Sequence, residues 1–441
     1  MKRFLLLLLF ASLLSMPDAV YGQDTLSIEQ VIRTGLEKNY AIRIADNETR
    51  ISSNNNSLGN AGFLPILTAD GAFNESIEDN VTEYSTTAIP DRNVEGATTT
   101  VINYGVNATW TIFDGLTMFA TSDRLSLQEE ISETQARLQL EQILANIIST
   151  YYQIVGQQNA YQVQENTLDV SSERIRIAET RLDLGSGSEY DLLQSRADFN
   201  ADKAALIRSG TGLKQAKILL TQVLADTSLS GYDVSGAIVL ADKLQMEPLI
   251  DESLQQNSEL QIARLNQSVA RTEIREITGE YFPQIDLMGG YGYRRTESSS
   301  GFADFTETDG FNYGVTARIN LFDGMNKSRR RQNAQIAEKN EELRLQDIRL
   351  RVTSQVRQIY AQYSDAITLI ELEQENLQYA EQSLDIALER FRLGTINSVE
   401  LREAQVSLLN AENRLIAAQI EAKSAETELL RLSGRLLSKA E

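Results

Sequence analysis

The sequence of 441 residues has no cysteine and no histidine. Thiol nucleophiles and disulfides are therefore excluded, and so is nearly every zinc or iron ligand set. Di-iron chemistry in a helical bundle goes too, because its helices carry Glu-x-x-His pairs. No cofactor or metal site is expected. Nor does any set of residues combine a nucleophile, a base and an orienting group, which argues against an enzyme.

Proline is scarce, and its five residues punctuate the pattern without interrupting it. Pro65 and Pro283 each end a helical stretch and open a strand, Pro90 lies in a loop, Pro248 stands near a helix start and Pro17 falls in an N-terminal leader. That leader reads Lys2-Arg3, an apolar run from Phe4 to Leu14, then Val20-Tyr21-Gly22, with small residues where a signal peptidase reads. Residues 1–22 are thus expected to be a secretory signal peptide. The run is well short of the ~20 residues a membrane helix needs. No cysteine follows it, so no lipoprotein anchor is expected.

Removing the leader takes away two cations and one anion, so the formal charge moves from −21 to −22. No nucleic-acid partner is expected on that ground. No later segment is apolar for long enough to be a membrane helix. If the mature chain enters a membrane, it must do so as β-strands.

Two halves of the chain resemble each other. Phe63-Leu64-Pro65 matches Tyr281-Phe282-Pro283 at a shift of 218, the shift that also relates Asn39 to Asn257. Tyr104 matches Tyr313, Phe113-Asp114-Gly115 matches Phe322-Asp323-Gly324, and Leu184-Gly185 matches Leu393-Gly394, all at a shift of 209. The change of register falls in a loop between strands. The expected division is a first repeat over 23–226, an equatorial linker over 227–247, a second repeat over 248–434 and a tail over 435–441.

Each half carries two stretches of period two. Ile102, Tyr104, Val106, Ala108, Trp110 and Ile112 alternate with Asn103, Gly105, Asn107, Thr109 and Thr111; Phe311, Tyr313, Val315, Ala317, Ile319 and Leu321 do the same in the second half. The segments Leu67 to Asn74 and Ile285 to Tyr293 are their less regular partners. A half-buried soluble sheet is the commoner source of such alternation. Strands of about ten residues or more, with aromatics crowding the apolar face, favour a lipid-facing sheet instead. Four strands cannot close a barrel, since closed membrane barrels begin at about eight. Open edges in hydrocarbon would cost several kcal/mol for each unpaired backbone group, so oligomerisation is required. Two, three or four protomers would all close, and the residues alone leave that choice open.

From Met325 to Phe391 there is neither glycine nor proline, and the matching stretch from Leu116 to Leu182 holds only Gly156. Each predicts a helix of roughly 100 Å. Leu140, Ile147, Ile154, Tyr161, Leu168, Ile175 and Leu182 fall every seventh residue, as do Val356, Tyr363, Ile370, Leu377, Leu384 and Phe391. A strict heptad implies left-handed supercoiling against a neighbour. Helices resume from about Glu189 to Leu224 and from Val399 to Leu432. Shorter helices over about Ala41 to Gly62 and Glu259 to Glu280 are expected to stack on these, so that two short helices nearly match one long one.

The leader, the duplication, the helix-Pro-strand junction, Phe-Asp-Gly after the second strand and Arg-x-x-Leu-Gly at the hairpin together resemble the TolC-like outer-membrane efflux proteins. The likeness covers essentially the whole mature chain. It implies a mainly α fold with membrane β: a long coiled-coil helical barrel continuous with a transmembrane β-barrel, four strands per protomer and 12 in a homotrimer. It also implies an outer-membrane channel, the exit duct of a tripartite efflux or type I secretion system. Its partners would be outer-membrane lipid, a periplasmic membrane-fusion adaptor and an inner-membrane pump.

In that family acidic residues after the second hairpin turn ring a narrow periplasmic mouth, and the matching positions are Glu400 and Glu403. Asp191 matches the gate aspartate of the first hairpin. The family's tyrosine and arginine partners fall on Phe391 and Ile396, which cannot supply the same hydrogen bonds and charge pairs; Arg390 or Arg392 are the candidates to replace them. The expected constriction is Asp191, Phe391, Glu400 and Glu403. Leu184, Gly185, Ser186, Gly187, Leu393, Gly394 and Thr395 are the expected adaptor contacts at the hairpin tips. Two plainer roles stand beside these. Ser188-x-x-Asp191 and Asn397-x-x-Glu400 have capping-box spacing, and the tip glycines suit the left-handed residue that ends a helix. The run Lys327, Arg329, Arg330, Arg331 is expected to be a solvated face. The alternative overall reading is a periplasmic coiled-coil scaffold or adaptor that conducts nothing; a secreted pore-forming toxin is a second.

Overall fold

The computed structural model describes residues 25–437, apart from 87, 89, 241, 242 and 302. The expected leader and the last residues of the expected tail lie outside the described residues. In chain order the elements are β1 (Thr25–Leu26), α1 (Ile28–Lys38), α2 (Tyr40–Asn55), β2 (Ile66–Thr82), β3 (Arg92–Phe113), α3 (Thr117–Asp183) and α4 (Glu189–Leu224). There follow β4 (Asp233–Val234), α5 (Met246–Gln256), α6 (Ser258–Gly279), β5 (Gln284–Ser298), β6 (Phe305–Arg318), α7 (Asn326–Arg392) and α8 (Ser398–Leu432).

The long helices α3 and α7 each run 67 residues. None of the heptad residues named above is exposed. Gly156, the single glycine inside α3, sits where α8 comes close: a Cβ there would lie 2.2 Å from Ile420 Cδ1. The helices lie side by side in the order α2 and α4, then α3, then α6 and α8, then α7. In the first repeat α2 and α4 flank α3; in the second, α6 and α8 pack between α3 and α7.

The short helices are joined end to end by a duplicated asparagine. Asn39 and Asn257 both leave the helical conformation, at ψ of 126° and 124°, and so split α1 from α2 and α5 from α6. Each side chain caps the helix that follows, Asn39 accepting from Ala41 N at 2.8 Å and Asn257 from Leu260 N at 3.2 Å. Each amide nitrogen also donates to the last turn of the other short helix, Asn39 to Val223 O at 2.8 Å and Asn257 to Leu432 O at 3.2 Å. These breaks were not foreseen, and α2 ends at Asn55, before the expected Gly62.

At the equator β1 pairs in parallel with β4 and so ties the start of the chain to the linker. Tyr151, 2% exposed on α3, donates its hydroxyl to Leu26 O and Ser235 O beneath that pair. The surrounding core is Val31, Ile147, Ile154, Leu220, Leu224 and Val234. Leu436, placed in the tail by sequence, packs at 3% exposure against Leu144 and Leu430.

The second sheet is antiparallel with the order β2-β3-β5-β6. Strands β2 and β3, at 17 and 22 residues, are longer than their alternating segments. Strand β6, in contrast, ends at Arg318, so Ile319 and Leu321 fall outside it. The reason is the partner: β5 begins at Gln284, opposite Arg318, directly after Pro283, which has no N–H to give. The other side of β6 is open, as is the other side of β2.

Candidate functional site

The two hairpins, α3–α4 and α7–α8, end side by side. Each turns through a glycine with positive φ, +70° at Gly185 and +76° at Gly394. The closing bonds are duplicated as well, Ser186 N to Arg181 O and Thr395 N to Arg390 O, both at 2.9 Å. Leu184 and Leu393, at 76% and 75% exposure, project from the two tips.

Neither capping box forms in full. Ser188 accepts from Tyr190 N at 3.1 Å, but Asp191 turns away and its Oδ1 accepts from Ser398 N at 3.3 Å and Ser398 Oγ at 2.7 Å. Asp191 thereby ties the first turn of α4 to the first turn of α8. Asn397 accepts from Val399 N and Glu400 N, both at 3.0 Å. The Glu400 carboxylate makes no bond among the described residues, and neither does that of Glu403. Both lie on an exposed stripe of α8, Glu400, Glu403, Ser407, Asn410, Arg414, Ala417 and Glu421, which follows the 3-4 spacing of a supercoiled face. The side of α8 that meets the first hairpin carries Ser398, Leu401 and Gln405 instead, all buried.

Phe391 is not at a surface. It is fully buried with Ile177, Ala178, Leu192, Leu384, Ile396 and Leu401, a plug drawn from both hairpins. Arg181 stands 5.2 Å above its ring and donates to its carbonyl oxygen at 3.3 Å. The expected lining role of Phe391 is therefore replaced by packing: at this heptad position an aromatic ring fills the seam, and Ile396 joins it. Of the two arginines named as replacements, Arg392 reaches Glu389 and, at 3.4 Å, Glu173 of the first hairpin.

Directly above the plug is a polar layer that sequence reasoning missed. Arg174, with no exposed surface, donates from Nη2 to Asp198 Oδ2 at 2.6 Å. Burial pushes its guanidinium below its ordinary range, and Asp198 opposes that. Arg402 of α8 forks onto Asp202 of α4 with two bonds of 2.7 Å, and Ser171 donates to the same carboxylate. Gln405 donates to Thr167 O at 2.9 Å and to Ser171 Oγ at 2.7 Å. The available signal was Asp198 and Asp202 at i, i+4.

The basic run after β6 is only partly free. Arg330 pairs with Glu280 at the end of α6, and Lys327 donates to Glu280 O at 2.7 Å. Near the strand ends Trp110 donates to Phe63 O at 2.8 Å, and Phe63 meets Phe119 edge to face at 5.0 Å. Further along the sheet Tyr104 stacks on Tyr293 at 4.8 Å, and the hydroxyls of Tyr291 and Tyr293 donate to Asp309 and Glu307.

The family model described as "Outer membrane efflux protein" matches residues 31–226 and 249–435, the two repeats. The chain is 24% identical to the outer membrane efflux protein BepC of Brucella suis, over 98% of this chain and 89% of that protein. It is 21% identical to the alkaline protease secretion protein AprF of Pseudomonas aeruginosa, over 70% of this chain and 65% of that protein. Among solved structures, the outer membrane protein VceC of Vibrio cholerae superposes with a TM-score of 0.75 at 15% identity, covering 92% of this chain and 96% of that one. With both repeats matched and the fold shared, the chain belongs to the outer membrane efflux protein family, and its site of action is the outer membrane.

Proposed function

We propose that the protein is the passive exit duct of a tripartite efflux or type I secretion assembly, a homotrimer whose strands close a 12-stranded barrel and whose hairpin end is the gate. The observation that carries this reading is a slanted apolar band on the four-stranded sheet. Paired residues share a face, and Phe73, Ile102, Arg295 and Glu307 form one such row across β2, β3, β5 and β6. The next rows down are Gly71, Tyr104, Tyr293, Asp309 and then Ala69, Val106, Tyr291, Phe311. The continuous apolar face thus ends at Phe73 on β2, Ile102 on β3, Tyr293 on β5 and Phe311 on β6, two rows lower on the last strand than on the first.

Two rows are about 13 Å along a strand, and three strand spacings are about 14 Å, so the boundary leans about 40° to the rows. That is the tilt of strands in a membrane barrel. The lower boundary leans the same way, from Leu67 on β2 to Leu321 beyond β6, which accounts for apolar alternation continuing past the strand. A stretch of about ten residues at this tilt spans about 25 Å, the height of a lipid-facing band.

The protomer is open on the same two sides at both levels. β2 and β6 are unpaired outwards. On the helices Tyr40, Ile44 and Leu193 are exposed at one edge and Ile336, Leu343 and Leu350 at the other. Unlike edges meeting head to tail close a ring, and the family resemblance supports a ring of three. In that ring the stripe bearing Glu400 and Glu403 lines the mouth with Asp191 beside it, and Leu184 to Gly187 with Leu393 to Thr395 meet the adaptor. The inner-membrane pump supplies the energy. A scaffold that conducts nothing would leave the slanted band facing water.

Ile102 and Glu307 lie in one row, and the chain has no other thiol to label. In liposomes, brominated acyl chains should quench a fluorophore on Ile102→Cys and spare one on Glu307→Cys. Equal quenching at both would overturn the tilted barrel. The wild-type protein should also run as a heat-modifiable oligomer extracted from outer membranes.

A further inference from the structure

We infer that copies join by repeating the chain's own β3–β5 pairing, so that β6 of one copy meets β2 of the next with Asn312 opposite Ser76 and Val315 opposite Phe73. This rests on the duct reading above and adds the register of its seam. The duplication supplies the rule. Ile66 pairs with Thr109 and Gln284 with Arg318, so the two hairpins keep one register at the shifts of 218 and 209. Between the hairpins β3 pairs with β5, Asn103 opposite Arg294 and Val106 opposite Tyr291. The same shifts carry Asn103 to Asn312 and Val106 to Val315, and they bring Arg294 back to Ser76 and Tyr291 back to Phe73.

Two observations make a second copy the occupant of this edge. Apolar alternation runs past the end of β6, where Ile319, Leu321 and Phe322 are exposed. In the first repeat the matching end of β3 is held by β5, Thr111 opposite Asp286 and Phe113 opposite Ile285. The inferred register sets Asn320 opposite Thr68 and Phe322 opposite Leu67 of the next copy. The stretch beyond β6 thereby gains the backbone partner that a strand in hydrocarbon requires. The helices obey the same operation. Leu350, Leu372 and Ile386 are exposed on α7, whereas Glu141, Val163 and Ile177, their counterparts on α3, are buried. Tyr40 is exposed on α2, while its counterpart Ser258 on α6 is buried and donates to Glu141 at 3.0 Å. The seam therefore sets Leu350 against Tyr40 of the next copy, an apolar contact where the chain's own wall has a polar one. In the sheet Glu75 comes to lie beside Tyr313, whose hydroxyl supplies a donor as that of Tyr293 does for Glu307.

The absence of native cysteine makes the test direct. Asn312→Cys with Ser76→Cys should oxidise to covalent oligomers on non-reducing denaturing gels of outer-membrane protein. Within one copy β2 and β6 stand three strand spacings apart, about 14 Å, so a disulfide there joins two copies. Cα atoms two residues out of register are about 8 Å apart, so Asn312→Cys with Asn74→Cys or with Glu78→Cys should stay largely monomeric on the gel. Asn103→Cys with Arg294→Cys, the in-chain counterpart, should lose its free thiols without forming covalent oligomers. Preferential joining through Asn74→Cys or Glu78→Cys would overturn the inference. So would an unjoined Ser76→Cys pair in heat-modifiable oligomers, where the in-chain pair closes. If the in-chain pair closes and no oligomer forms at all, the duct reading fails instead.

Discussion

Gly156 is a point of close approach between α3 of the first repeat and α8 of the second, and its replacement by alanine sets two effects against each other. Alanine in a helix interior is favoured over glycine by about 1 kcal/mol. Against this, the new Cβ would stand 2.2 Å from Ile420 Cδ1, 3.0 Å from its Cγ1 and 3.5 Å from Ile416 Cγ2. The nearest atom is the end of a flexible side chain in a packed seam, and overpacking of this kind costs roughly 1–3 kcal/mol. Gly156→Ala alone should therefore lose up to about 2 kcal/mol. Ile420→Val removes the clashing methyl and alone loses about 0.5–1.5 kcal/mol. Together the alanine methyl occupies the space that Cδ1 vacated, and the pair should return to parental stability or exceed it. The double-mutant cycle, followed by helical circular dichroism during guanidinium unfolding in one detergent, should show a favourable coupling of about 1–3 kcal/mol. Additivity to within about 0.5 kcal/mol would refute the proposed close contact of α3 with α8.

Neutralising the mouth with Glu400→Gln and Glu403→Gln should reduce cation selectivity, read as a smaller reversal potential across a salt gradient; an unchanged potential removes these residues from the lining. Asn257→Ala deletes a cap and leaves Leu432 O short of its donor inside the protein, a loss of roughly 2 kcal/mol, with faster amide exchange in the first turn of α6. Asn39→Ala should cost less, since Asn39 is only half-buried. Glu141, 2% exposed where α3 meets the start of α6, is pushed above the usual carboxylate range by burial, against hydrogen bonds from Ser258 and Arg137. Its folded form thus binds a proton more tightly than the unfolded chain, so its contribution to stability improves as pH falls through the raised value. Glu141→Gln should be at least as stable as the parent at neutral pH and should flatten that dependence, as measured by unfolding midpoints between pH 4 and 8.

The strands, the long helices and the duplication were legible because each is a periodic pattern with a boundary residue. Pro65 and Pro283 mark strand starts by lacking a donor, and the two Asp-Gly pairs precede the long helices with glycines at positive φ. The breaks at Asn39 and Asn257 were not legible: asparagine is tolerated on a helix surface, and only a carbonyl from another helix turns it into a joint. The polar layer escaped for a similar reason. Arg174, Asp202 and Arg402 read locally as solvated charges, although Arg174 stands one residue from the heptad line of α3. Phe391 was expected at the constriction, but an aromatic without a hydroxyl packs into the seam between the hairpins.

The sequence by itself determined the two long helices, the hairpins that follow them and the duplication, and it argued for more than one copy, since four lipid-compatible strands cannot satisfy their own edges. Tertiary structure alone decided which charges face each other and which face water. Side-chain burial in a helix wall depends on how many neighbours flank it. α3 has neighbours on both sides and buries faces that a single heptad line does not reveal, while α7 has them on one side and leaves its far face exposed.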